Sequence, residues 1–208
     1  MIDQVTITLP GTQLPGDLTV PAEAHGLVIF AHGSDSSRHS PRNQYVAKVL
    51  NDSDLATLLF DLLTSEEAAD RRNVFDIPLL AERLIAARDW AAERVELRDL
   101  PVGYFGASTG GAAALWSAAG SEIGAVVSRG GRVDLAGPRN ADVTAPTLLI
   151  VGERDVEVLE FNREAQRDLR CVNHLEVVPG ATHLFAEPGA LERVAELARD
   201  WFAEHLRC

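Results

Sequence analysis

Short apolar runs alternate along this chain with longer segments of helical periodicity. Unbroken apolar stretches are typical of strands buried on both faces of a sheet, whereas apolar residues three or four positions apart indicate helices. The predicted strands span residues 26–31, 55–60, 102–105, 124–128, 146–151 and 173–178. The predicted helices span residues 43–51, 76–95, 158–169 and 188–205, and a further one starts near residue 111. This alternation predicts an α/β fold with a doubly wound, mostly parallel sheet.

Three segments depart from that pattern. Residues 5–9 and 14–20, separated by Pro10 and Gly11, predict an antiparallel N-terminal hairpin at the edge of the sheet. Residues 62–73 are first acidic and then basic, which favours a loop over the end of the sheet. The stretch between residues 128 and 146 is too short for a large cap, and we expect Pro188 in the first turn of the last helix.

Composition narrows the class of protein. The 208 residues suit a single domain over positions 1–208, with no linker or repeat to divide it. The net charge of −12 repels phosphate backbones and anionic lipid, so we expect neither nucleic-acid nor membrane partners. The N-terminus lacks the features of a signal peptide, and no apolar run reaches the ~18 residues of a membrane span, so we predict a cytoplasmic protein.

The two cysteines give no sign of metal or disulfide chemistry. Cys171 and Cys208 are too few for a disulfide framework, and no Cys and His spacing suggests zinc. We therefore expect neither a metal nor a cofactor, and we expect Cys171 to be buried.

The sequence Gly-Ala-Ser-Thr-Gly at residues 106–110 carries the first chemical signal. It has the Gly-x-Ser-x-Gly form of a nucleophile elbow, a sharp turn between a strand and a helix. Such a turn exposes the hydroxyl of Ser108 and places it near the free N–H groups of a helix N-terminus. Since the chain has 16 glycines, an ordinary turn could produce the same letters, and the interpretation needs partners for the serine.

Candidate partners lie where predicted strands end. In doubly wound sheets, sites form beyond the carboxyl ends of the strands, and His32, Asp155 and His183 all fall there. The chain order of serine, then acid, then histidine is the order in α/β-hydrolases. His183 is in a glycine-rich loop after the last predicted strand, which favours it as the base. Asp155 directly follows a buried strand, with Asp134 as the alternative acid.

Together these motifs resemble the α/β-hydrolase fold, and within it the small dienelactone hydrolase-like proteins. The matching pieces are His32-Gly33, the elbow, Val-Gly-Glu-Arg-Asp at 151–155 and Gly-Ala-Thr-His at 180–183. The resemblance implies Ser108 as nucleophile, Asp155 as acid and His183 as base. It also implies an oxyanion hole formed by the backbone N–H groups of Thr109 and Ser34. Dienelactone hydrolases carry cysteine at the nucleophile position, so the serine favours general ester hydrolysis over lactone hydrolysis.

Two further side chains are candidates for substrate binding. Arg129, next to Gly130-Gly131 and Arg132, could bind a substrate carboxylate. The alternative, which the acidic composition favours, is that it pairs with a surface carboxylate. His32 either contacts substrate or shapes its loop through hydrogen bonds, and we favour the second role.

The sequence therefore predicts a serine hydrolase that cleaves small ester or lactone substrates through an acyl-enzyme. A thioesterase or amidase would use the same triad. A protein that keeps this fold as a non-catalytic or accessory binding module is the alternative from another class.

Overall fold

Eight strands form the central sheet in this computed structural model, which describes residues 2–206. The strands are β1 (Ile2–Leu9), β2 (Thr12–Thr19), β3 (Leu27–Ala31), β4 (Ala56–Phe60), β5 (Val102–Ala107), β6 (Ala125–Arg129), β7 (Thr147–Gly152) and β8 (Asn173–Val178). The helices are α1 (Pro41–Asn51), α2 (Ser65–Ala68), α3 (Arg71–Val74), α4 (Ile77–Ala92), α5 (Thr109–Ala118), α6 (Val156–Asp168) and α7 (Ala190–His205). A 3₁₀ segment, kinked at Gly137, covers Val133–Asp142.

The strand order is β1-β2-β4-β3-β5-β6-β7-β8. β1 and β2 pair antiparallel, β2 pairs antiparallel with β4, and all other pairings are parallel. The predicted fold class is therefore confirmed, including the N-terminal hairpin and the absence of a large cap. The central strand β5 has β3 and β6 as neighbours, with Gly106 opposite Ala31 and Ala107 opposite Arg129. This register brings the ends of three strands together at one edge of the sheet.

Helices cover the sheet on both faces because the inner strands are apolar on both sides. The residues of β3, β4 and β6 are all buried. On one face, α4 and α5 contribute Leu80, Leu84 and Ala113 to the larger hydrophobic cluster. On the other face, α1 and α7 contribute Leu50 and Phe202 to a second cluster. The sheet is thus sandwiched between two separate apolar layers.

The prediction of a loop over residues 62–73 was wrong, since two single-turn helices form there. Thr64 and Glu67 make a reciprocal capping box at the start of α2, and the Asp70 side chain accepts the Arg72 N–H at the start of α3. Glu67 also pairs with Arg83 at 2.7 Å. Local side-chain caps, rather than an apolar stripe, stabilise these turns.

Other boundaries also differ from the prediction. α5 begins at Thr109 rather than near residue 111. Gly189 caps α7 in a left-handed conformation, so Pro188 precedes the helix instead of lying in its first turn. Cys171 is half-buried rather than buried, while Cys208 lies outside the described residues. Within residues 2–206, no helix combines the length and hydropathy needed to cross a membrane.

Candidate active site

Ser108 sits in a strained turn between β5 and α5. Its φ of 53° and ψ of −121° lie in a region that residues with side chains rarely adopt. The flanking glycines are required by close approach of backbone. A Cβ on Gly106 would lie 2.3 Å from the Gly110 oxygen, and a Cβ on Gly110 would lie 2.1 Å from the Ala31 oxygen. The turn is therefore as tight as the elbow motif predicts.

Hydrogen bonds on both sides hold this turn in place. The Ser108 N–H donates to the Arg129 carbonyl at 3.2 Å. The Ser108 carbonyl accepts the N–H groups of Gly111 and Arg132, both at 3.0 Å. The backbone of the serine is thus fixed while its hydroxyl faces a cleft, and the end of β6 is tied directly to the elbow.

Asp155 and His183 meet at the same edge of the sheet. Asp155 occupies the N-cap position of α6, but its side chain does not cap the helix. Instead its Oδ2 lies 2.6 Å from Nδ1 of His183. The carboxylate is 15% exposed and the imidazole 37%. The histidine is therefore partly open to solvent, whereas the aspartate that it contacts is largely shielded. With Nδ1–H donating to Asp155, Nε2 is the free nitrogen of the ring.

Ser108 and His183 line one cleft of about 370 Å³, here called the Ser108 cleft. Its other lining residues come from the β3–α1 loop, the start of α1, the ends of β5 and β6, and the loop after β8. They are Gly33, Ser34, Asp35, Ser36, Ser40, Arg42, Ala107, Arg129 and Leu184. The structure thus brings a strained serine and a carboxylate-bound histidine to the same concave surface.

The other carboxylates considered near this edge have different partners. Asp134 accepts two hydrogen bonds from Arg132, at 2.9 and 2.8 Å. Glu153 accepts the Gly180 N–H at 2.7 Å. Of these carboxylates, Asp155 is the one in contact with His183.

Two backbone N–H groups lie beside Ser108. Thr109 is the first residue of α5, and an N–H at that position has no intrahelical partner. The Ser34 N–H finds no acceptor among the residues that the structure describes. A Cβ on Gly33 would lie only 3.0 Å from the Ser108 Cβ, so the loop carrying Ser34 is seated against the serine. Both residues therefore adjoin Ser108, Thr109 along the chain and Ser34 through the loop that also carries Gly33.

His32 uses both ring nitrogens within the protein. Nδ1 lies 2.9 Å from the Gly33 carbonyl, and Nε2 accepts the Leu62 N–H at 3.0 Å. Burial lowers the pKa of His32, which favours the neutral ring that these two bonds require. The ring therefore joins the β3–α1 loop to the segment after β4 and has no nitrogen left for a substrate.

A smaller cavity of about 150 Å³ lies next to this loop. It is lined by His32, Thr109 and apolar side chains that include Leu62 and Leu80. The Thr109 hydroxyl is buried there without a hydrogen-bond partner within residues 2–206. Across the same residues, no group of three or more His, Cys, Asp or Glu side chains is arranged to hold a metal ion.

Arg129 is not the surface residue that the acidic composition suggests. It is 7% exposed, and its Nη2 donates to the Asn43 side-chain oxygen at 3.2 Å. No carboxylate in the described part of the chain lies within 4.0 Å of it, so the expected surface ion pair was wrong. Burial, followed by repulsion from Arg42, lowers the pKa of Arg129 to about 10. The guanidinium is still charged at neutral pH.

Sequence reasoning missed Arg42, the second arginine of the cleft. It lies in the first turn of α1, just after the N-cap Ser40. A cation in the first turn opposes the helix dipole. That mismatch is the feature of the sequence that could have drawn attention to Arg42.

The strand order, the strained serine between β5 and α5, and the histidine after the last strand define an α/β-hydrolase. The solved dienelactone hydrolase of Anabaena variabilis is 51% identical over 100% of this chain and 99% of its own, with a TM-score of 0.97. The chain therefore belongs to the dienelactone hydrolase family.

More distant comparisons agree on the fold. Est1E of Butyrivibrio proteoclasticus is 18% identical, with a TM-score of 0.83 over 97% of this chain and 98% of its own. A second Est1E structure contains ferulic acid. No protein-family model matches the chain.

Curated relatives carry a different name. Two sequences from strains of Mycobacterium tuberculosis are 58% identical over 206 residues and are provisionally named as phosphoribosyl transferases. The match covers 98% of this chain but 46% of each relative. The chain thus spans about half the length of the curated relatives it matches.

Proposed function

We propose that this chain is a serine hydrolase that cleaves small ester or lactone substrates through an acyl-enzyme. Ser108 is the nucleophile, His183 the general base and Asp155 the residue that orients the base. The observation that carries the proposal is the 2.6 Å contact between Asp155 and His183, because His183 lines the same cleft as a strained serine.

The first half-reaction follows from the tautomer that this contact selects. Because Nδ1–H donates to Asp155, Nε2 accepts the Ser108 proton as Oγ attacks the ester carbon. Asp155 then stabilises the imidazolium. The N–H groups of Thr109 and Ser34 hold the oxyanion, and losing one such donor typically costs ~10²–10³ in turnover.

His183 then acts as an acid, which completes the first half-reaction. His183 gives its proton to the departing alcohol, and the carbon–oxygen bond of the ester breaks. In the second half-reaction His183 takes a proton from water, which attacks the acyl carbon, and then returns that proton to Ser108 Oγ as the bond between the acyl carbon and the serine breaks and the acid leaves. The cleft volume of about 370 Å³ favours short or compact acyl groups. The same three residues would also cleave thioesters and amides.

The experiment is active-site labelling combined with kinetics on a panel of small esters and lactones. We expect a fluorophosphonate probe to label the native protein and not Ser108→Ala. Turnover in Ser108→Ala and His183→Ala should fall by at least ~10³-fold, as for other triad residues. Ser53→Ala, outside the Ser108 cleft, is the matched control and should keep both label and turnover.

Two results would contradict the proposal. Hydrolysis that survives in Ser108→Ala would move the reaction to another site. A folded native protein that neither takes the label nor hydrolyses any substrate would favour the binding module.

A further inference from the structure

Arg42 and Arg129 bring two positive charges into the Ser108 cleft without acidic partners. Both line the cleft, and the Nε atoms of both are buried without a hydrogen-bond partner within residues 2–206. Neither guanidinium lies within 4.0 Å of a carboxylate in that part of the chain. In a protein with 31 acidic residues, this lack of acidic partners is a specific feature of the cleft.

A buried charge is normally paired, because removing it from water is costly. Here burial lowers the pKa of Arg129, and repulsion between the two arginines lowers it further. Asp35, the acid that lines the cleft, has an 84% exposed side chain and lies 4.0 Å from Arg71 instead. An anion bound between Arg42 and Arg129 would relieve the unfavourable charge.

The rest of the lining supplies hydrogen-bond donors for such an anion. Ser34, Ser36 and Ser40 all line the cleft. Ser40 is also the N-cap of α1, an 11-residue helix, so the positive end of the helix dipole lies there as well. Hydroxyl groups, guanidinium groups and a helix N-terminus together form the donor set that proteins use for phosphate.

The balance of charge indicates which anion fits. Two guanidinium groups carry two positive charges, and a phosphate monoester carries about −1.5 to −2 at neutral pH with three acceptor oxygens. A carboxylate would neutralise only half of that charge. We propose that the ester substrate carries a phosphate group, and that Arg42 and Arg129 bind it beside Ser108. This inference rests on the proposed function. The phosphate is a handle for binding, because the carbon–oxygen ester bond breaks while its phosphorus–oxygen bonds stay intact.

The binding step can be tested without catalysis. Inorganic phosphate is titrated calorimetrically into Ser108→Ala protein and into the same protein with Arg42→Gln, Arg129→Gln or Arg163→Gln. Arg163 pairs with Glu160 on the surface of α6 and is the matched control. We expect each cleft substitution to weaken phosphate binding at least 10-fold and the control to leave it unchanged. If Arg129→Gln fails to fold, Arg42→Gln decides. Equal binding in all variants, or none in the parent, would overturn the inference.

The substrate class is tested with three acetyl esters that differ in one group, made from glycerol, glycerol 3-phosphate and glycerate. We expect kcat/KM for the phosphate ester to exceed that for the neutral ester roughly 100-fold, the order that charge-assisted hydrogen bonds provide. Because Arg129 remains, this ratio should fall to roughly 10 or below in Arg42→Gln, and it should persist in Arg163→Gln.

The two proposals fail in different ways. If the neutral ester is hydrolysed with the same kcat/KM as the phosphate ester, the phosphate inference is overturned, but the proposed hydrolase activity is supported. If the acetyl ester of glycerate had the same kcat/KM as that of glycerol 3-phosphate, the choice of phosphate as the anion would be overturned. Phosphate binding that depends on Arg42, with no hydrolysis of any ester, would support the subsite and count against the proposed function.

Discussion

Gly110 shows how little room the turn around Ser108 leaves. It lies in α5, where exchanging glycine for alanine would ordinarily stabilise the helix by up to ~1 kcal/mol. A Cβ at this position would instead lie 2.1 Å from the backbone oxygen of Ala31, a contact that no side-chain movement relieves. We expect Gly110→Ala to lower the free energy of unfolding by about 1–3 kcal/mol, measured by urea denaturation. A higher free energy of unfolding for Gly110→Ala would show that the turn accommodates a methyl group at this position.

The sequence predicted some residues of the site much better than others. The elbow glycines can be recognised in the sequence because both lie two positions from Ser108, even though the contact that excludes a side chain at Gly110 is with distant Ala31. Arg129 could not be placed from sequence, since its charge and the acidic composition both indicate the surface. In the folded protein it is buried and donates a hydrogen bond to Asn43, which is 86 positions away in the chain. Such a contact exists only once β6 and α1 are brought together.

The loop between β3 and α1 depends on one neutral histidine. Nε2 of His32 accepts the Leu62 N–H, so protonation of the ring would break this link to the segment after β4. Because burial lowers the pKa of His32 in the folded state, the unfolded chain binds the proton first as the pH falls. The contribution of His32 to stability is therefore complete above pH ~6.5 and is lost below it.

This linkage predicts a difference in slope. Between pH 7.5 and 5.5, the free energy of unfolding should fall more steeply for the native protein than for His32→Gln, whose amide oxygen can accept the Leu62 N–H at either pH. Urea denaturation across this range measures both slopes. The remaining histidines are common to the two proteins, so parallel curves would show that His32 does not couple to folding.

At the level of elements, the sequence pattern located the strands, and β8, which is mostly half-buried, matches its predicted range of 173–178. It failed where a few polar side chains determine local structure. α2 and α3 are each a single turn with side-chain caps, too short to show an apolar stripe. The start of α7 was misplaced because the left-handed Gly189, rather than the nearby proline, ends the preceding loop.

Across the whole molecule, the second apolar layer depends on α7. Phe202 is fully buried, and a Cβ on Gly103 of β5 would lie 2.7 Å from its ring. The aromatic ring therefore rests directly on the backbone of the central strand. We expect Phe202→Ala to cost about 3–5 kcal/mol in thermal or urea unfolding. Glu204 is exposed on the same helix, so Glu204→Ala is the control and should change the free energy of unfolding little. If both variants lost a similar amount of stability, Phe202 would not be specifically packed in this layer.

The backbone link between Ser108 and Arg129 has one more consequence. Because the N–H of the proposed nucleophile is hydrogen-bonded to the carbonyl of the proposed anion-binding residue, the spacing of their backbones is set by the sheet and not by loop motion. The distance between the ester group and the phosphate group of a substrate must then match the fixed distance between Ser108 and Arg129. A single methylene added between ester and phosphate would be discriminated more sharply than a change in the acyl chain.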